Sequence, residues 1–342
     1  MDMTAITEGI NIEVLEDIGY FFNKINEKAL FQLGLADSYD DDGDPALALS
    51  VEYFHPQITL DDRMRYIAEN IVTSGMDYQS IICNTIVSHF YGARGIHQIL
   101  TRDPNPTTAL VNFDLLMNDM DYFNHIKKNV EDAVDMGIGL YGTTELRTSL
   151  FGAANKYCEP LGLTSRKHGM NILIWIAGFI YRGIIDDMAN AQSLEDLYKV
   201  ITKIEGVGAY YGYHCSTSNS VNPNINANHD ERFCVPGPGA RLTLDLLFGK
   251  ENKMKHGDQV IWFRENYKEL IGEIFLHPDT HNIEVDGRRI LKEEQDDLKV
   301  YGCEVGLCQY GVYHRFKNHP HLINRRKVSR INQQTLNKFF EV

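Results

Sequence analysis

The sequence predicts a mainly α fold with a small β-hairpin inserted late in the chain. Three observations carry that prediction. Apolar residues recur at helical spacing through most of the 342-residue chain, as helices with one buried face require. Polar caps and acidic first turns stand in front of several of these runs. Only "HNIEVDGRRIL" (281–291) reads as paired strands, with Asp286-Gly287 as the turn between them.

Residues 1–59 read as an N-terminal helical extension, and residues 60–342 as one domain with a basic C-terminal tail. "TLDDRMRYIAENIVTSGMD" (59–77) opens that domain with acids at its start and apolar residues at helical spacing. "YQSIICNTIVSHFYGARGIHQIL" (78–100) continues as a second helix, and residues 110–137 hold one or two more. The helix in 143–162 has Thr144 as a candidate cap and stops at Pro160. "MNILIWIAGFIYRGII" (170–185) is interrupted by Arg182, too soon to span a bilayer, and reads as a buried helix. "SLEDLYKVITKIEG" (193–206) is capped by Ser193 with acids in its first turn. A polar loop (216–232) follows the next helix, and three further helices are expected in 233–249, 258–275 and 298–317.

The composition, 43% hydrophobic and 23% charged, is that of an ordinary globular chain. The N-terminus has neither a basic region nor a cleavage site, so no secretion signal is read there. No membrane partner is expected. The six cysteines are scattered without a CxxC, as free thiols in a reducing cytoplasm would be. The net charge of −14 is the wrong sign for a DNA binder, but it is unevenly spread. "DSYDDDGDP" (37–45) holds five acids and lacks the terminal bidentate Glu of a calcium loop, so it reads as a solvated acidic loop. Residues 305–340 hold no acid, and carry Arg315, Lys317, Arg325, Arg326, Lys327, Arg330 and Lys338. Screening confines the acidic field to about 10 Å, so such a local basic surface can still meet phosphates.

Two motifs could carry chemistry. In "KIEGVGAYYGYHC" (203–215), Gly206 and Gly208 allow a sharp turn between two helices. The second helix then offers free N–H groups to a phosphate. In "FCVPGPGARLTLDLLFG" (233–249), a Gly-Pro-Gly leads into a helix whose second residue past Gly239 is Arg241. Open amides and an arginine together make an anion site. No GxxxxGK[ST] is present, and "GIGLYG" (137–142) follows a helix, which denies it the strand context of a dinucleotide site.

These two blocks and "CEVGLCQYGVYHR" (303–315) resemble, in order and spacing, three signatures of the phage α-glutamyl/putrescinyl thymine pyrophosphorylase family. This amino acid:DNA transferase family is similar to the helical domain of 5-hydroxymethyluracil DNA kinases. The resemblance covers roughly residues 60 to 317. It implies a helical fold related to the helix-hairpin-helix DNA glycosylases. It also implies transfer of an amine, from an amino acid or a polyamine, onto pyrophosphorylated 5-hydroxymethyluracil in phage DNA. The target base would have to leave the duplex.

Residue by residue, Gly206, Val207 and Gly208 match the hairpin; Gly237, Pro238, Gly239 and Ala240 match the Gly-Pro-Gly block. Glu304, Leu307, Cys308, Tyr313 and Arg315 match the late helix, where Gln309 replaces the usual acid. Tyr213 matches a family Tyr, His214 replaces a Gln, and Asn84 and Arg94 fit an early helix loosely. A glycosylase would place its catalytic Asp where Pro236 or Gly237 stands, which argues against base excision.

The implied roles follow from the chemistry. The departing pyrophosphate needs donors and positive charge, which amides after Gly239, Arg241 and Arg315 could supply. A divalent cation is a further option, although no metal motif is visible. The amine must be neutral to attack, and Glu304 and His214 are the candidate general bases. Each has a plainer alternative: Glu304 capping or bridging another helix, His214 as a core histidine. Cys308 reads as a small core residue, and Tyr210, Tyr211 and Tyr213 as packing or as a stacking platform for the flipped base. A glycosylase or lyase, and a non-catalytic DNA-binding module, are the competing readings.

Overall fold

The structure, a computed structural model, describes residues 9–32, 34–50, 61–92, 95–141, 148–162, 168–227, 232–272, 282–285, 288–292, 298–322 and 339–340. It is mainly helical. In chain order the longer elements are α1 (Ile12–Gln32), α2 (Pro45–Ser50), α3 (Asp62–Tyr66), α4 (Tyr78–Tyr91), α5 (Ile96–Thr101), α6 (Phe113–Asn118), α7 (Met120–Asp135) and α8 (Thr148–Cys158). They continue as α9 (His168–Tyr181), α10 (Ile184–Ala189), α11 (Leu194–Thr202), α12 (Ala209–Asn219), α13 (Pro238–Phe248), α14 (His256–Ile271), β1 (Asn282–Val285), β2 (Arg288–Lys292) and α15 (Val300–Asn318). The chain divides into two compact units, one of residues 1–65 and 230–327, the other of residues 66–229 and 328–342.

In the first unit α13, α14 and α15 pack with the N-terminal helix α1. Leu15, Ile18, Phe21, Phe22 and Ile25 form the buried stripe of α1, with the helical period that an amphipathic helix needs. Phe21 stacks on Tyr313 at 4.9 Å, and Phe22 meets Phe263 edge-on at 6.0 Å. Gly306 lies under the Phe22 ring, with no room for a side chain. Asp17 of α1 accepts hydrogen bonds from Tyr310 (2.9 Å) and Lys317 (2.6 Å) of α15, and Asp44 accepts one from Tyr313 at 3.0 Å. The acidic loop is partly used in the same way. Asp42 receives Tyr20 (2.8 Å) and Lys24 (3.1 Å), while Asp40, Asp41 and Asp44 each accept a backbone N–H two residues on. β1 and β2 pair antiparallel with a register shift after Ile283; the turn expected at Asp286-Gly287 lies outside the described residues.

In the second unit α9 is the central helix. Ile172, Leu173, Ile174, Trp175, Ile176, Ala177 and Phe179 are all buried, so this helix is apolar on every side. Gly178 lets Tyr157 of α8 approach its backbone closely. Arg182 ends the run by lying over the rings of Tyr157 and Phe179, at 4.8 and 4.9 Å, with its Nε on the Gly178 carbonyl. Two expected single helices are divided. The stretch 78–100 breaks where Gly92 and Gly95 adopt left-handed φ of 65°, and 170–185 breaks at Gly183, φ 69°. The stretch after Tyr66 departs from regular α geometry, with a π turn over Ile67–Ile71 and a tight turn over Val72–Ser74. There Thr73 and Ser74 hydroxyls bond the carbonyls of Glu69 and Ile71, offering the backbone an alternative to the helical ladder. Ser193 caps α11 as expected, accepting the Asp196 N–H at 3.0 Å. The candidate cap Thr144 lies outside the described residues.

Candidate functional site

The Gly-Pro-Gly segment of the first unit is built against α15. Gly237 is the cap residue of α13, with φ −72° and ψ 173°, and Pro238 occupies the first helical position, where its fixed φ and missing N–H cost nothing. Glu304, fully buried on α15, accepts the Gly237 N–H at 2.8 Å. The plainer alternative for this residue, capping or bridging another helix, is therefore realised. Gly239 is a contact glycine. A Cβ there would lie 2.7 Å from both the carbonyl oxygen and the Sγ of Cys308. Reciprocally, a Cβ on Gly311 would lie 2.5 Å from the Gly239 carbonyl. Thr243 reaches back from α13 to donate to the Leu307 carbonyl at 2.7 Å. A third glycine, Gly257, seats the start of α14 on the Cys234 carbonyl, 2.5 Å from where its Cβ would be.

This packing leaves one face of the α13 start outward. Arg241 is exposed, and its Nε donates to the Pro236 carbonyl at 2.9 Å. That bond folds the guanidinium back over the start of its own helix. The Arg241 N–H is satisfied by Gly237 O, whereas the N–H groups of Gly239 and Ala240 have no i−4 partner inside the helix. Arg315 is exposed on α15, one turn beyond Gly311. The structure thus gathers Gly237, Gly239, Arg241, Glu304 and Cys308 at one crossing, with Arg315 a turn away. Sequence reasoning missed Thr243, Gly257 and Gly311. A threonine inside "LTLDLLF" and glycines on otherwise good helices were the available signals.

The second unit holds the hairpin. α11 ends at Thr202 and α12 begins at Ala209. Gly206 has φ 85°, and a Cβ there would lie 2.6 Å from the Ser149 carbonyl, so both backbone conformation and space demand glycine. Ser149 fixes the turn by donating to the Gly206 carbonyl at 2.9 Å. Gly208 caps α12 in extended geometry, and nothing lies within 4 Å of its Cβ position. Gly208 and Ala209 are exposed, so the α12 start presents its first-turn N–H groups outward. An exposed ion pair, Lys156 to Glu205 at 2.8 Å, flanks the turn.

Behind the turn α12 is buried. Tyr213 and His214 are enclosed, with Tyr210 4.3 Å from the His214 ring. Tyr211 is half-buried and edges onto Phe90 at 6.2 Å. His89 of α4 bonds Ser218 of α12 at 2.5 Å. Asn84 is fully buried and clamps Val111, donating to its carbonyl at 2.9 Å and accepting its N–H at 3.0 Å. Arg94 and residues 323–338 of the basic tail lie outside the described residues. All six cysteines are free. Among the described residues there is no cluster of metal-binding side chains, and no helix is long and apolar enough to cross a membrane.

Comparison with known proteins supplies the family. The family model described as "5-hmdU DNA kinase, helical domain" matches residues 59–322, well over half of the chain. Searches of curated proteins and of solved structures gave no match. The matched span includes the hairpin, the Gly-Pro-Gly segment and the late helix with Glu304. The chain therefore belongs to the family of 5-hmdU DNA kinase helical domains.

Proposed function

We propose that this protein hypermodifies thymine in DNA by replacing the pyrophosphate of a pyrophosphorylated 5-hydroxymethyluracil with an amine from an amino acid or polyamine. The observation that carries this reading is the start of α13. The first-turn amides of half-buried Gly239 and buried Ala240, which have no partner four residues back, share one helix end with the exposed Arg241 guanidinium, held from behind by Glu304. Such an end suits a multiply charged leaving group, because the amides, the helix dipole and the guanidinium all favour negative charge. The family match adds the DNA base.

In the reaction the amine lone pair forms a C–N bond to the 5-methylene carbon. The C–O bond breaks and its electrons leave with pyrophosphate, whose growing charge the α13 start stabilises. The ammonium that forms loses a proton, with Glu304 as the candidate acceptor. Its bond to the Gly237 N–H also makes it the residue that orients the anion site. The hairpin grips the DNA backbone through the N–H groups at the α12 start, and Arg315 lends charge. Asn84 acts by position, since its amide is committed to Val111. His214 is the second candidate base. We assign residues 60–342 to the catalytic domain on the helix-hairpin-helix plan, in the cytoplasm of a phage-infected cell.

The test is direct. Pyrophosphorylated 5-hydroxymethyluracil DNA is incubated with the protein and a mixture of amino acids and polyamines, then digested to nucleosides and weighed. An adduct at the mass of 5-hydroxymethyldeoxyuridine plus amine less one water, with pyrophosphate released, is the expected result. Abasic sites would turn the reading to a glycosylase, and unaltered nucleosides with retained DNA binding would turn it to a binding module.

A further inference from the structure

Along the outer face of α14, in the first unit, runs an open groove of about 380 Å³ lined by Arg232, Met254, Asp258, Ile261, Trp262 and Glu265. Asp258, Ile261, Trp262 and Glu265 stand at i, i+3, i+4 and i+7, so one helix face supplies a carboxylate at each end and an apolar floor between them. The two carboxylates are set about 10 Å apart along the axis by the helical rise. They differ in state. Glu265 is held by Arg232 at 2.5 Å. Asp258 has no ion-pair partner among the described residues. Trp262 is fixed edge-on against Phe248 at 5.3 Å, and Met254 flanks it as a flexible apolar wall. Gly257, next to Asp258, rests on the carbonyl of Cys234, which precedes the Gly-Pro-Gly by three residues.

We propose that this groove binds a primary ammonium, with the charged head at Asp258 and its carbon chain lying over Trp262. The lining carries a formal charge of −1, two carboxylates against one guanidinium, so one cation completes it. The Asp258 carboxylate gives the ammonium charge-assisted hydrogen bonds, and the indole offers the carbon chain a broad apolar surface. A neutral chain of equal length would gain only the apolar contact, and an anion would meet Asp258 directly. The site rests on the proposed amine transfer only for its purpose, as the place where the donor waits beside the anion site. Its binding chemistry stands on the lining alone.

Titration of Trp fluorescence tests it in the full chain without DNA. The probes are n-butylammonium, 1-butanol and butyrate, the last two keeping the carbon chain while removing or reversing the charge. Trp175 is buried in the other unit, so Trp262→Phe identifies the responding ring. Saturable binding of butylammonium, several-fold tighter than butanol and with no response to butyrate, is expected. Asp258→Asn should weaken it about fivefold, the worth of one exposed charge contact, with unchanged thermal stability. Equal responses to all three probes, or an Asp258→Asn protein that binds as well as wild type, overturn the proposal. Failure here, with amine transfer to DNA intact, would move the donor site elsewhere. Binding here without transfer would leave the groove and remove the transferase reading.

Discussion

Glu304 on the late helix accepts the Gly237 N–H at 2.8 Å across 67 residues of sequence, and it does so with no exposure to solvent. A carboxylate in this place does two things. It closes the cap of α13, and it puts a negative group directly behind the proposed anion site. Two substitutions separate these roles. Glu304→Gln keeps an oxygen for the Gly237 N–H but cannot take up a proton from an amine. If Glu304 is the base, turnover falls by about 10²–10⁴, partly restored at higher pH where the amine is already neutral. Glu304→Ala leaves the buried N–H unpaired, which costs about 1–3 kcal/mol of stability as well. Wild-type turnover in Glu304→Gln, with loss confined to Glu304→Ala, would assign the residue to positioning alone and pass the base to His214.

Arg241 folds its Nε onto the Pro236 carbonyl at an exposed helix start. Under the proposed function, in which the guanidinium stabilises the leaving pyrophosphate, Arg241→Ala is expected to lower kcat far more than DNA affinity. Thermal midpoint and single-turnover rate are measured on the same preparation. A parallel loss of both would make Arg241 a packing residue.

The two hairpin glycines make opposite predictions. Gly206→Ala places a methyl 2.6 Å from a carbonyl at φ 85°, and should cost at least about 1 kcal/mol, the penalty of a left-handed residue before any clash. Gly208→Ala meets nothing within 4 Å in the protein, so stability should stay within about 0.5 kcal/mol. Its methyl would instead crowd a phosphate at the α12 start and weaken DNA binding. In wild type each neutralised phosphate should steepen the log–log salt dependence by about 0.9. Salt-independent binding, or undiminished binding by Gly208→Ala, would remove the hairpin from the DNA contact.

Much of the helical pattern was legible because the period of apolar residues directly records which face is buried. The run 170–179, buried all round, and the Ser193 cap followed from local chemistry that needs no partner. What the sequence did not disclose were relations between distant segments. Periodicity shows that α1 has a buried face, but not that the face rests on α15, nor that Asp17 meets Tyr310. The helix breaks at Gly92 and Gly183 were equally hidden, since an isolated glycine is tolerated inside a helix and only its left-handed φ ends one. At the candidate site the Gly-Pro-Gly start was readable. The groove on α14 was not, because Asp258, Trp262 and Glu265 look like any solvated helix face until Arg232 and Met254 are brought beside them.

Tyr310 donates to Asp17 from a position 1% exposed, which ties the N-terminal helix to the helix that carries Glu304. Tyr310→Phe preserves the ring and removes the bond. The stability of this unit should fall by about 1.5–3 kcal/mol, the range for a hydrogen bond to a charged group. Denaturant titration reads the change. An unaltered midpoint would show that Lys317 alone holds Asp17.

The last prediction concerns pH in the second unit. His97 is fully buried between Tyr66 and α4, with one ring nitrogen 3.2 Å from the Tyr66 hydroxyl and the other 3.1 Å from the Asn84 carbonyl. Burial lowers its pKa from 6.5 to about 4, although the Asn84 carbonyl opposes the change. The folded protein therefore resists a proton that the unfolded chain accepts. Between pH 6.5 and 4 the unfolded state binds more protons, so stability rises with pH through that window. The stability tied to a neutral His97 is fully present above pH 6.5, falls as the medium is acidified, and is gone near pH 4. The gap between the two pKa values corresponds to about 3 kcal/mol. Denaturant midpoints measured at several pH values from neutral down towards that lower limit should fall steadily in wild type. His97→Gln, which cannot titrate, should begin less stable and lose less across the same range. Parallel slopes in the two proteins would place the acid sensitivity on other groups and leave His97 as packing alone.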